Sequence, residues 1–214
     1  MAAPSVSTNG PCFEPCAEDG IIWLQALLDH AGVRGPCVLV GHSLGGLNAQ
    51  VFASQYPDRV AGLILLDPAP LAFITGQAFP ELYRLFEQQA AELRQMAEAA
   101  RQSTDAEAQA KANYLEAVAS EHAALITESA SRVAAIESFG DIPLVVIGSG
   151  KPNPAFGADA EAFQRFWIEQ SRALAAKSTN GTFVLAQESS HYLHEDAPDV
   201  VLDAIREMVE RVRE

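Results

Sequence analysis

The sequence predicts an α/β fold built on a mostly parallel sheet. Short β-branched apolar runs too brief for helices alternate with amphipathic stretches at helical spacing, and links of glycine, proline and aspartate join them. In the first element, Ile21, Ile22, Leu24, Leu27 and Leu28 recur at helical spacing, with Asp19 available as a cap and Gly32 placed to end the run, which gives a helix over about 19–31. Pro36-Cys37-Val38-Leu39-Val40 then reads as a buried strand that stops at glycine. Gly45 to Gln55 is a helix closed by Tyr56-Pro57-Asp58, and Val60 to Leu66 is a second strand ending at Asp67-Pro68.

From Phe79 to Ser138 the composition turns to Ala, Glu and Gln, with neither proline nor glycine after Pro80, so helices are expected throughout this insertion between two strands. Ile142 to Ile147 resumes the strand pattern, Ala158 to Ala176 is helical, and Thr182 to Ala186 follows the Asn180-Gly181 turn as a fourth strand. A last helix begins near Ala197-Pro198 with Asp196 as its cap and carries Val201, Ile205, Met208 and Val212 on one face. The expected division is a core of residues 1–70 and 141–214 with a helical insertion of 71–140.

Charge narrows the partners. The 214 residues carry 28 acidic and 14 Lys or Arg side chains, a net charge of −14, which disfavours nucleic acid and anionic membrane surfaces. No apolar stretch approaches the roughly 18 residues of a membrane helix, and the start lacks a signal-peptide pattern, so a cytoplasmic location is expected. Cys12, Cys16 and Cys37 are an odd number, which argues against a disulfide framework; the Cys12–Cys16 spacing has no second ligand pair beside it, so no zinc site is expected.

Gly41-His42-Ser43-Leu44-Gly45-Gly46 stands between a predicted strand and a predicted helix. A serine there must turn sharply to expose its hydroxyl, and glycines two positions before and after remove side chains that would collide, which makes Ser43 a candidate nucleophile. The plainer use of such a segment is a glycine-rich helix start that packs or binds an anion. A serine nucleophile needs a base; His191, directly after the last predicted strand, is the candidate, with His194 as its competitor. His42 adjoins the serine too closely to reach back to it, and His30 and His122 lie on helices. The orienting acid is expected at a strand end, where Asp67 is favoured and Asp159, after a long loop, is the alternative. Beside Pro68, an aspartate is also a common turn cap.

Gly41 to Gly46, Val60 to Asp67, Ile142 to Gly148 and Ser190 to Pro198, in that order, resemble the α/β-hydrolase family, and the stretch from about Asp19 to Arg213 is similar to its serine esterase-like members with a helical cap. The resemblance implies an α/β-hydrolase fold with Ser43, His191 and Asp67 as nucleophile, base and acid, the Leu44 N–H as an oxyanion donor, and residues 71–140 as the cap. It implies a small-molecule ester-like substrate; transfer to an alcohol in place of water needs no different triad. The sequence holds no metal-ligand cluster or phosphate-binding glycine loop, so no cofactor is expected. Serine at the elbow argues against the dehalogenase and epoxide hydrolase branches. Family members carry several further strands and a His-Gly loop ahead of the elbow, whereas Met1 to Glu18 holds no His-Gly pair and too little apolar sequence for a strand. The expected sheet is therefore N-terminally truncated, with Val38 to Val40 as an apolar edge that invites a second copy or a separate partner chain. An inactive remnant that only binds is the alternative function, and a helical interaction module over 79–138 is a third reading.

Overall fold

The computed structural model describes residues 17–124 and 129–213; Cys12, Cys16 and the rest of 1–16 lie outside the described residues. Among the described residues the sheet has four parallel strands in the order β1 (Cys37–His42), β2 (Val60–Leu66), β3 (Leu144–Ser149) and β4 (Gly181–Ala186). This is the expected α/β class, a parallel sheet with helices on both faces. β2, Val-Ala-Gly-Leu-Ile-Leu-Leu, is apolar at every position because it lies between two strands and is covered on both faces. Helices α1 (Ala17–His30), α2 (Gly45–Gln55) and α7 (Ala160–Ala175) share one core with Leu63, Leu65, Leu144 and Val146. The other face buries Ile64, Leu66 and Ile147 against α9 (Pro198–Arg211), through Val201, Ala204 and Met208, and against Leu193 of the one-turn helix α8 (Leu193–Asp196).

Register brings the carboxyl ends of the strands to one rim. His42 pairs with Leu66, Leu66 with Ile147, and Ser149 with Ala186, so the residues that follow β1, β2 and β4 emerge together where parallel sheets place their sites. β3 starts two residues later than the expected Ile142. Proline 143 has no N–H for the ladder, and Ile142 N–H donates instead to the Phe139 carbonyl in a turn.

Between β2 and β3 the described residues form α3 (Leu71–Ile74), α4 (Pro80–Arg101), α5 (Ala106–Ala124) and α6 (Ala130–Ala134). α4 and α5 pack as a hairpin along a seam of Ala90, Ala97, Ala112 and Ala119, whose small side chains are buried and let the backbones approach. Helices were expected throughout this insertion, and the break between α4 and α5 at 102–105 has a local cause. Ser103 Oγ accepts from Asp105 N–H at 3.1 Å and Asp105 Oδ1 accepts from Glu107 N–H at 3.2 Å, so side chains take over the backbone donors and start a new helix.

Among the described residues β1 pairs only with β2, and Val40 on it is 45% exposed; Val38 and Leu39 are half-buried against the two cores. No described helix is long and apolar enough to cross a membrane.

Candidate active site

The turn from β1 into α2 is built around Ser43. Its backbone is left-handed, φ 53°, its N–H donates to the Leu66 carbonyl at 2.9 Å, and its carbonyl accepts from Gly46 N–H at 3.1 Å. A non-glycine residue held in that region stores strain, the mark of a side chain forced outward at a strand-to-helix turn. Gly41 is sterically required: a Cβ there would lie 2.7 Å from the Gly45 carbonyl oxygen and 2.8 Å from Gly46 Cα. Gly45 does not have the role expected of it, because a Cβ at that position meets nothing within 4 Å; the second tight position is Gly46, whose Cβ would stand 3.0 Å from Pro68. Ser43 and Leu44 are partly exposed. Among the described residues neither the Ser43 hydroxyl nor the Leu44 N–H has a hydrogen-bond partner.

Asp67 follows β2 in a second left-handed turn, φ 43°, and is 2% exposed. Three donors meet its carboxylate: Ser149 N–H on Oδ1 at 2.8 Å, Ser149 O–H on Oδ2 at 3.0 Å, and His191 Nδ1 on Oδ2 at 2.7 Å. The buried charge is thereby compensated. Ser149 is held in turn by Gln164 of α7, whose Nε2 donates to the Ser149 carbonyl at 2.7 Å and to its Oγ at 3.2 Å. A carboxylate only accepts, so Nδ1 of His191 carries the hydrogen and the neutral ring leaves Nε2 as a free base.

His191 lies in the loop between β4 and α8, with its side chain 34% exposed. Its carbonyl accepts from His42 Nε2 at 2.8 Å. The preceding residues are fixed as well: Ser190 N–H donates to Asp196 Oδ2 at 2.8 Å, and the Ser189 carbonyl accepts from Gly150 and Lys151 N–H at 3.1 and 2.9 Å. Asp196, expected to cap the last helix, makes no cap bond to α9 and serves the loop instead. Hydrogen bonds from Ser190, helped by the charge of Lys151, hold its carboxyl below the ordinary range. Burial pushes His42 below the usual histidine value, and the neighbouring His191 and His194 push the same way, against the bond to the His191 carbonyl and the charge of Asp67. The Trp167 ring stands edge-on to His191 at 6.0 Å and packs against Phe73 and Phe163.

His191 and Asp67 are thus brought together, and the Ser43 turn shares their rim. Asp159 is not part of this group; it is exposed at the start of α7 and makes no cap bond. His194 is half-exposed on α8, 3.7 Å from Glu195. Among the described residues no cluster of His, Cys, Asp and Glu is placed to hold a metal ion. Sequence reasoning gave no role to Ser149 or Gln164. A Gly-Ser-Gly directly after an apolar strand was the available signal for the first; the second, one position on a helix face, had none.

A model of the alpha/beta hydrolase family matches residues 7–204. The chain belongs to the alpha/beta hydrolase family. Two curated relatives of this chain are Lipase LipV of Mycobacterium tuberculosis, 47% identical over 72 residues covering 32% of this chain and 27% of that protein, and Uncharacterized protein YqjL of Bacillus subtilis, 26% identical over 189 residues covering 88% and 63%. The chain thus spans less than two thirds of the length of either relative. Among solved structures, a thermophilic esterase from Thermogutta terrifontis has a similar fold, with a TM-score of 0.55 and 23% identity over 94% of this chain and 74% of that one.

Proposed function

We propose that this alpha/beta hydrolase cleaves carboxylic esters of small molecules through an acyl-enzyme on Ser43. The 2.7 Å bond between His191 Nδ1 and Asp67, at the rim that also carries the left-handed Ser43, is the observation that supports this reading most directly. His191 Nε2 takes the Ser43 proton as Oγ attacks the ester carbonyl, and the Leu44 N–H faces the oxyanion. Collapse of the tetrahedral intermediate expels the alcohol, which receives the proton from His191. Water, deprotonated by the same imidazole, then releases the acid and restores Ser43. Asp67 holds the ring in its productive tautomer, and helices α3 to α6, which leave the rim directly after Asp67, form the cap. Among the similar proteins a lipase name supports ester cleavage, and homoserine O-acetyltransferase names fit the same acyl-enzyme with an acceptor other than water.

Turnover of p-nitrophenyl butyrate by the wild type and Ser43→Ala tests the reading. A loss of about a thousandfold or more in the variant is expected, and equal turnover by the two contradicts it. Binding without turnover is the second reading, and one observation favours it: among the described residues Ser43 makes no hydrogen bond to His191. A hydrolase whose oxyanion lacks one of its donors loses roughly 100- to 1000-fold in rate, so weak turnover is compatible with the first reading and total absence belongs to the second.

A further inference from the structure

We propose that His42 is a positioning residue for the reaction: its ring is a strut that sets the separation between the Ser43 turn and the backbone of His191. The inference deepens the serine-hydrolase reading and rests on it. His42 is the last residue of β1, pinned by its pairing with Leu66, and it immediately precedes the nucleophile. Its Nε2 reaches the main-chain oxygen of His191 at 2.8 Å, across 149 residues of sequence. A carbonyl oxygen only accepts, so Nε2 carries the hydrogen.

Three ties hold the base. Asp67 fixes its ring at Nδ1, Asp196 fixes the N–H of the residue before it, and His42 fixes its own carbonyl. Of the three, the last comes from the strand that leads directly into Ser43, so it is the tie that couples nucleophile position to base position. The ring centroids of His42 and His191 are 4.7 Å apart, inclined by 40°. His194 meets the His42 ring edge-on at 5.2 Å, and the Tyr192 ring lies at 6.3 Å. This setting also suits a neutral ring: burial, His191 and His194 all depress its proton affinity. A second positive charge beside His191 would oppose the imidazolium that forms there during catalysis, so a neutral donor serves better than a charged one.

A glutamine at position 42 keeps an N–H donor near the place of Nε2, and a leucine keeps bulk without a donor. Steady-state rates on p-nitrophenyl butyrate and labelling rates with a fluorophosphonate are compared for wild type, His42→Gln, His42→Leu and Ser43→Ala. The strut predicts that His42→Leu lowers kcat and labelling about 10- to 100-fold with KM within about twofold, and that His42→Gln stays within about threefold of wild type. A wild-type kcat in His42→Leu, with Ser43→Ala inactive, overturns the strut and leaves the hydrolase reading intact. Wild-type turnover no greater than that of Ser43→Ala overturns both. Long-range 1H–15N correlation of the wild-type imidazoles at pH 7 decides independently of any variant's folding: neutral His42 protonated at Nε2 supports the strut, and protonation at Nδ1 overturns it.

Discussion

The imidazole of His191 meets the carboxylate of Asp67 at 2.7 Å although 124 residues separate them, and the parallel register of β1 to β4 is what brings them together. Asp67 arrives at the end of the buried strand β2, His191 from the loop after β4, and Ser149, at the end of the strand between those two, bonds the carboxylate twice. The carboxylate is therefore fixed on two sides.

Asp67→Asn tests this pairing. The amide either loses the bond to Nδ1–H or turns its own N–H against it, which favours the wrong tautomer, so ester turnover should fall about a hundred- to ten-thousandfold. Asp159→Asn, on the exposed start of α7, should stay within about twofold of wild type. Rates of p-nitrophenyl ester hydrolysis by both variants check it, and the reverse ranking would move the acid to Asp159.

Ser149→Ala removes a hydroxyl that both donates to Asp67 and accepts from Gln164, all three being buried. Leaving such groups without partners costs about 1–3 kcal/mol, so the urea midpoint should fall, and turnover should fall less than in Asp67→Asn because the Ser149 N–H and His191 still hold the carboxylate. An unchanged midpoint would contradict the role given to this hydroxyl.

Much of the architecture was legible because it follows from local pattern. The continuous apolar run of β2 and the Gly-His-Ser-Leu-Gly-Gly segment after β1 each carry their meaning in a few adjacent residues. Three features were not, for the same reason reversed. The Ser149–Gln164 support, the His42 to His191 carbonyl bond, and the turn of Asp196 away from α9 toward Ser190 all join residues whose proximity only the folded register creates. The division of labour among the elbow glycines was equally hidden, since it depends on how closely α2 crosses the end of β1.

Gly41→Ala and Gly45→Ala should therefore differ. The first puts a methyl group 2.7 Å from a backbone oxygen, which cannot swing aside as a side chain would, and should cost about 1–3 kcal/mol, or roughly 2–4 °C of Tm per kcal/mol. The second meets open space at a helix start and should leave Tm within about 2 °C. Thermal unfolding of the two variants side by side checks the contrast.

Acid should weaken the fold in two stages. His42 is held below its ordinary value of 6.5, so the unfolded chain takes up a proton that the folded chain resists. The stability this contributes is complete above 6.5 and is lost as pH falls through the folded value. His191, His194, Asp67 and Tyr192 face the same ring; of these, the two histidines deepen the effect and Asp67 lessens it. Asp196, held below 3.8, contributes stability above that value and loses it only at lower pH. Urea unfolding from about pH 3 to pH 8 should show both stages in the wild type, with the upper one reduced in His42→Gln. Superimposable profiles between about pH 5 and pH 7 would contradict the first stage.

Covalent labelling with a fluorophosphonate followed by mass spectrometry tests, without knowledge of the substrate, whether Ser43 is a nucleophile activated by His191. One adduct on the intact chain is expected, located at Ser43, absent from Ser43→Ala and slowed at least about a hundredfold in His191→Ala. A folded chain that takes no label, or takes it equally well without Ser43, would contradict it.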